Sequence, residues 1–371
     1  MSHTHSVDFD LCVVHFLPIA RYPPLQNLIH FLGHQPGIQC TIVCSGNKAD
    51  FHSAYANVSV HFVDGQPTSS VNEKIRFWST VKKKLRGRSF DACLGYGDEF
   101  SGLIATTMSC KWRGLHLHEL PPSLHLGNKF LSRSQRLEIF ALRQCLKRFH
   151  WISQVTPERA SLFAERFGAS SDNLFNFPPK SFAMDREPLK PKDGTLRVLY
   201  VGSCNAHSIH VEALHVLSDM PGISVSVLPT NRIGLDEVQE NKKIQILQPC
   251  PYHELPEILA GYDVGMVLYK GASDNMRLGV PNKVVEYVSC GLFALYVSSI
   301  EGIRSFVAHR GLENIIIPFD PNEASSLENA VDQCRSFDAR RFRKHGRSMD
   351  FESEYDRLLK KIKSHLNSPE Q

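Results

Sequence analysis

Short apolar runs alternate with amphipathic stretches along the whole chain, the pattern of parallel α/β sheets whose strands are covered on both faces. In the first half, strands are predicted at Asp10 to Leu17, Gln39 to Cys44, Val58 to Val63, Phe90 to Leu94, Gly114 to His118 and Trp151 to Ser153. Helices are predicted at Leu25 to Leu32, Val71 to Leu85, from Glu99 to Met108, Lys129 to Lys147 and Pro157 to Phe167. In the second of these, Ile75, Trp78, Val81 and Leu85 fall on one stripe and read as its packing face. Phe177 to Gly194 breaks the pattern with four prolines and mixed charges, which suits a linker. The alternation then restarts. Strands are expected at Leu196 to Val201, Ile223 to Leu228, Ile244 to Leu247, Val264 to Tyr269 and Leu292 to Val297. Helices are expected at Ile209 to Leu217, Tyr252 to Ala260, Pro281 to Cys290 and Asp350 to Leu366, with Lys270 to Val280 a polar loop.

At 371 residues, two domains are the default expectation. The predicted organisation is an α/β chain of two doubly wound, Rossmann-like domains facing a cleft. Residues 1–180 form the N-terminal domain, 181–195 the linker and 196–349 the C-terminal domain. A final helix, 350–371, packs back toward the N-terminal domain. In such folds ligands sit at the carboxyl ends of the strands, where the strand order reverses.

Composition is globular, with 42% apolar and 22% charged residues. No apolar run approaches the roughly 20 residues needed to span a bilayer. Met1 to Asp10 has neither a basic nor an apolar signal region, so no signal peptide is expected. Ten scattered cysteines contain no Cys-x-x-Cys pair, which reads as free thiols and points to the cytoplasm. The net charge of +4 is uneven: residues 1–190 carry 22 bases against 15 acids, residues 191–371 carry 20 against 23. Bases cluster at Lys82 to Arg88 and along Lys129 to Arg148. Solvated helix faces explain such clusters, and so does peripheral contact with the inner face of a membrane or with an anionic acceptor. Nucleic acid is not expected, because no stacking aromatics interleave with the bases and no recognition module is present.

The candidate chemistry centres on Asn282 to Gly291. Val284, Tyr287, Val288 and Gly291 share a helical face, while Glu286 is turned roughly 200° from Val284. Glu286 is therefore expected in the first turn and clear of the packing stripe, where it could accept hydrogen bonds from a ribose diol. Neighbouring backbone N–H groups could hold a diphosphate. An ordinary surface glutamate is the alternative. No Gly-x-Gly-x-x-Gly follows a strand, which disfavours a dinucleotide dehydrogenase. His116, His118, His207 and His210 lack further ligands at metal spacing, so no metal is expected.

Gly279-Val280-Pro281-Asn282-Lys283-Val284-Val285-Glu286-Tyr287-Val288-Ser289-Cys290-Gly291 resembles the donor segment of retaining, family 4 type glycosyltransferases with the GT-B fold. Tyr252 to Pro256, Tyr262 to Gly265, Leu199 to Ser203, His118 to Pro121 and Asn176 to Pro178 resemble other family segments in the same order. The resemblance implies a hexosyltransferase-type enzyme moving sugar from a nucleotide diphosphate sugar to a glycan or lipid-linked acceptor. Transfer would proceed with retention and without metal, in a setting of polysaccharide biosynthesis. The nucleotide sugar is a co-substrate, and no cofactor is implied. Glu286 would bind the ribose, and Gly202 and Ser203 the phosphates by close backbone approach. Asn282 and Lys283 would shape the phosphate side. His118 and Glu119 would stand at the catalytic centre, with His118 toward the donor sugar. Two positions depart from the family pattern. The stretch Ser203 to His210 has no Arg or Lys, so Lys270, Arg277 or Lys283 would neutralise the diphosphate. Leu278 stands where many members have a second glutamate, so Asp274, Asn275 or backbone would meet the sugar hydroxyls. Arg21, Asp98 and Glu99 are candidates for the acceptor side. A nucleotide-sugar epimerase and a non-catalytic nucleotide or sugar binder are the competing readings.

Overall fold

The computed structural model describes residues 8–19, 22–47, 55–64, 70–125, 131–183, 194–336 and 348–368. Arg21 and the central part of the linker lie outside them. The chain divides into two compact units, Met1–Asn176 with Glu352–Gln371, and Phe177–Phe351.

The first unit holds a seven-stranded, wholly parallel sheet in the order β3-β2-β1-β4-β5-β6-β7. Its strands are β1 (Phe9–Pro18), β2 (Ile38–Ser45), β3 (Val58–Val63), β4 (Phe90–Gly97), β5 (Cys110–Leu117), β6 (Trp151–Gln154) and the two-residue β7 (Asp172–Asn173). The order reverses between β1 and β4, where Leu11 to Val14 lie beside Ala92 to Gly95. The helices are α1 (Pro23–Gly33), α2 (Val71–Lys84), α3 (Glu99–Ala105), the short α4 (Pro122–His125), α5 (Arg133–Cys145) and α6 (Pro157–Phe167). Their ends carry ordinary signals. Ser132 and Gln135 make a capping box on α5, Thr156 caps α6, and Gly168 closes α6 in the left-handed region. Against β1 and β4, Phe77, Val81 and Leu85 pack with Phe16, Phe90 and Ile104. The C-terminal helix, Phe351–Leu366, belongs to this unit from Glu352 onward. Its Tyr355 hydroxyl meets that of Tyr96 at 2.5 Å, and Lys361 pairs with Asp172 at 2.6 Å.

The buried stripe of α2 is therefore not the predicted one. Val81 and Leu85 are buried, but their partner is Phe77, while Ile75 is 55% exposed and Trp78 36%. A helix bearing two apolar stripes can offer either to a sheet, and Phe16 and Phe100 stack edge-on in the site that Phe77 enters.

The second unit repeats the plan with six parallel strands in the order β10-β9-β8-β11-β12-β13. They are β8 (Leu196–Gly202), β9 (Ile223–Pro229), β10 (Ile244–Ile246), β11 (Val264–Val267), β12 (Phe293–Val297) and β13 (Ile316–Phe319). Its helices are α7 (Glu212–Asp219), α8 (Leu235–Gln239), α9 (Leu255–Leu259), α10 (Asp274–Arg277), α11 (Asn282–Ser289), α12 (Glu301–Arg310) and α13 (Ala324–Ser336). The segment expected to be wholly loop, 270–280, contains α10, capped by Ser273. The topological reversal lies between β8 and β11. The ten cysteines are free thiols. Among the described residues, no helix is long and apolar enough to cross a membrane. The two sheets, of seven and six parallel strands, make this a two-part α/β chain.

Candidate functional site

In the second unit, β8 ends at Gly202, whose φ of +150° is unfavourable for any side chain. A Cβ there would stand 2.7 Å from Lys283 Nζ and 2.9 Å from the Tyr200 hydroxyl. The backbone at Gly202 is thus directly beneath the Lys283 ammonium. Lys283 donates to the Tyr269 hydroxyl at 3.0 Å and lies over the rings of Tyr269 and Tyr200, 5.0 and 5.6 Å from their centroids. Burial disfavours its charge, but Tyr269, Tyr200 and Glu286 outweigh burial and hold its pKa above the usual lysine range. Tyr200 donates to the Ser203 carbonyl at 2.7 Å, fixing the turn that follows the strand.

Three elements hold this corner together. Tyr287 of α11 donates to the Met266 carbonyl of β11 and accepts from the Val201 N–H of β8, each at 3.3 Å. Gly265 leaves room for the Tyr287 ring, since a Cβ there would lie 2.2 Å from it. The sequence places Lys283 and Glu286 three residues apart, so one helix carries both to the strand ends of the topological switch point.

Glu286 differs from expectation in two ways. It lies in the second turn of α11, and it is buried, at 5% exposure, along with Val284, Val285, Tyr287, Val288 and Ser289. Helix geometry turned it away from the Val284 stripe correctly, but 3₁₀ turn Tyr252–Glu254 covers that side. Tyr252 donates to Glu286 Oε1 at 3.0 Å. Burial raises the carboxyl pKa to about 7, against the lowering by Tyr252 and Lys283. The surface-glutamate alternative is therefore excluded.

The other donor-side candidates separate into groups. Lys270 donates its backbone N–H to the Ser208 carbonyl, in the turn after Gly202. Asn275 lies within α10, and Asn282 opens α11. Arg277 is bound to Asp274 at 2.7 Å and to Glu301 at 2.5 Å, so two carboxylates already meet its charge. Lys283 is the candidate cation that stands beside Gly202.

In the first unit, the strand ends at the β1–β4 reversal gather His15, Tyr22, Gly97 and His118. Tyr22 and His118 meet at 2.7 Å, hydroxyl to Nδ1, with their rings stacked. The φ of Gly97 is +101°, and a Cβ there would lie 3.0 Å from both the His15 ring and the Tyr22 hydroxyl. Arg159, buried on α6, donates to the His118 carbonyl at 2.7 Å. Burial holds His118 well below the usual histidine range and lowers His15 to about 4 and His116 to about 3, so all three are neutral near pH 7. His118 is 8% exposed, and its Nε2 has no hydrogen-bond partner. Burial also raises Tyr22, which stays protonated. A Tyr22 hydroxyl that donates to Nδ1 leaves the imidazole proton on Nε2, and one that accepts from Nδ1–H leaves Nε2 an acceptor; in both tautomers Nε2 has no partner among the described residues.

Glu119 is exposed beside His118. Asp98 is the N-cap of α3, accepting from the Ser101 N–H at 2.8 Å and its hydroxyl at 3.0 Å. Glu99 opens the same helix, its pKa raised to about 8 by burial. Arg21 lies outside the described residues. The tyrosines at 22, 200, 252 and 269 escaped sequence reasoning as site residues. Their signal, aromatic hydroxyls at strand ends and turns, becomes visible only when the partners are known.

No protein-family model matches the chain, and no curated protein matches its sequence. Solved structures do match. Sucrose-phosphate synthase from Thermosynechococcus elongatus superposes with a TM-score of 0.75 at 12% identity, over 96% of this chain and 98% of that one. Anabaena HepE, solved in complex with UDP and glucose, gives 0.65 at 12% identity, over 95% and 99%. UDP-GlcNAc 2-epimerase from Neisseria meningitidis, bound to UDP-GlcNAc, gives 0.60 at 12%, over 95% and 99%. The chain thus has the GT-B-like fold of known glycosyltransferase structures, at a sequence identity that establishes the fold alone.

Proposed function

We propose that this chain is a glycosyltransferase that takes sugar from a nucleotide diphosphate sugar, with retention and without metal, and passes it to a glycan or lipid-linked acceptor. The observation carrying this reading is the corner where Gly202, Lys283 and Glu286 meet at the switch point of the second sheet. A side-chain-free backbone and a cation suit a diphosphate, and a carboxylate three residues further along suits a ribose diol. Lys283 supplies the charge absent from Ser203 to His210. His118 and Glu119 remain the candidates for the catalytic centre, and the departing diphosphate assists in taking the acceptor proton. Asp98, Glu99 and Arg21 remain acceptor-side candidates. The uneven charge, positive in the first half, favours an anionic, lipid-linked acceptor at the cytoplasmic face of a membrane.

The test is nucleoside diphosphate release from a panel of nucleotide sugars, with and without membrane extracts as acceptor. Acceptor-dependent release, lost in Glu286→Gln and Lys283→Met, is the expected result. Interconversion of the nucleotide sugar without acceptor would replace this reading by an epimerase. Tight binding without turnover of any donor would replace it by a non-catalytic binder.

A further inference from the structure

Seven large hydrophobic side chains are exposed among the described residues, and five of them stand on two helices: Val71, Ile75 and Trp78 on α2, and Leu137 and Phe140 on α5. Their exposures run from 36% at Trp78 to 63% at Leu137. The spacings, i, i+4, i+7 on α2 and i, i+3 on α5, place each set on one helix face. Lys74 and Glu138 join the two helices at 2.6 Å, so the helices are neighbours. Together the helices carry eight bases against two acids, and one of those acids, Glu138, is already paired with Lys74. Arg76, Lys82, Lys83, Lys84, Arg133 and Arg136 are exposed around the apolar residues. Lys82 lies with its ammonium 4.3 Å from the Trp78 ring centroid.

We propose that this α2–α5 face docks on an anionic lipid surface. Aliphatic and aromatic side chains ringed by long basic ones are what a headgroup–acyl boundary accommodates. The apolar groups enter the boundary, the ammonium and guanidinium groups reach the phosphates, and tryptophan sits at the headgroup level. Charge complementarity decides between occupants. A second copy of the same face would bring like charges together. A nucleic acid would use the bases and the Trp78 ring but would leave Val71, Ile75, Leu137 and Phe140 in water. The proposal deepens the reading of a lipid-linked acceptor, and its test needs neither donor nor acceptor, so either can fail alone.

The full chain is sedimented with vesicles of phosphatidylcholine, with and without phosphatidylglycerol. Binding to the anionic vesicles, weakened by salt, is expected. Trp112 and Trp151 are buried, so Trp78 should account for a blue shift of emission on binding and for quenching by brominated lipid. Ile75→Glu combined with Phe140→Glu should reduce vesicle affinity at least tenfold, with the thermal unfolding temperature and the circular dichroism unchanged. Failure of the wild type to bind anionic vesicles would overturn the proposal, as would undiminished binding by the double variant. Retention by a polynucleotide without vesicle binding, or a dimer mass that the double variant abolishes, would assign the face to another partner and overturn it equally.

Discussion

The buried carboxyl of Glu286 costs the fold stability near neutral pH. Its carboxyl ionises near 7 in the folded chain, above an ordinary value of 4.5, with burial as the main cause. The folded state therefore keeps a proton that the unfolded state releases earlier. The associated stability is fully present below about pH 4.5 and is lost as pH rises through 7. Glu286→Gln, which keeps the shape and removes the charge, should raise stability at pH 8 by about 1–3 kcal/mol, checked by urea denaturation. Wild-type and variant curves should converge at pH 5. Nucleotide affinity should run the other way if the carboxylate is the binding form, weakening as pH falls below 7. Calorimetric titration from pH 5.5 to 8 checks this, and a flat profile would separate Glu286 from the ribose. Tyr22→Phe tests the His118 proton in the same manner. Loss of the hydroxyl should shift the imidazole 15N resonances toward a mixed tautomer, whereas a ring held only by packing would show no change.

Elements respond to which stripe is buried rather than to which stripe is apolar. On α2, Phe77 is 2% exposed and Ile75 55%. Phe77→Ala should cost about 3–5 kcal/mol, while Ile75→Ala should stay within about 0.5 kcal/mol of wild type. Equilibrium denaturation of the two variants distinguishes the stripes. The periodicity itself was legible in sequence, but a helix with two apolar stripes does not say which one meets the sheet. The same limit applied to Glu286. The 3.6-residue repeat placed it off the Val284 stripe, and only the folded position of Tyr252 revealed that its side of the helix is covered.

At the scale of the whole molecule, the C-terminal helix is distant in sequence from the unit it joins. Tyr355 and Tyr96 pair their hydroxyls in a buried site, and Lys363 reaches Asp8 at 2.8 Å. Truncation after Phe351 should lower the melting temperature of the first unit and leave that of the second unchanged. Differential scanning calorimetry checks this, and the proposed nucleotide site predicts that added nucleotide raises the second transition alone. A single transition lowered as a whole would show that the units melt as one.

The sequence by itself determined the strand–helix alternation, the two-part α/β plan and the position of the Lys283–Glu286 helix. Those features follow from local periodicity and from turn chemistry at residues such as Gly202 and Pro281. Family-like spacing pointed to the same helix without requiring identity elsewhere. Tertiary structure alone decided which cation stands over Gly202, that Arg277 is held by Asp274 and Glu301, and that Lys74 and Glu138 join two helices distant in sequence. Each depends on side chains brought together from distant elements. Their energies come from burial and pairing in space, which no repeat along the chain records.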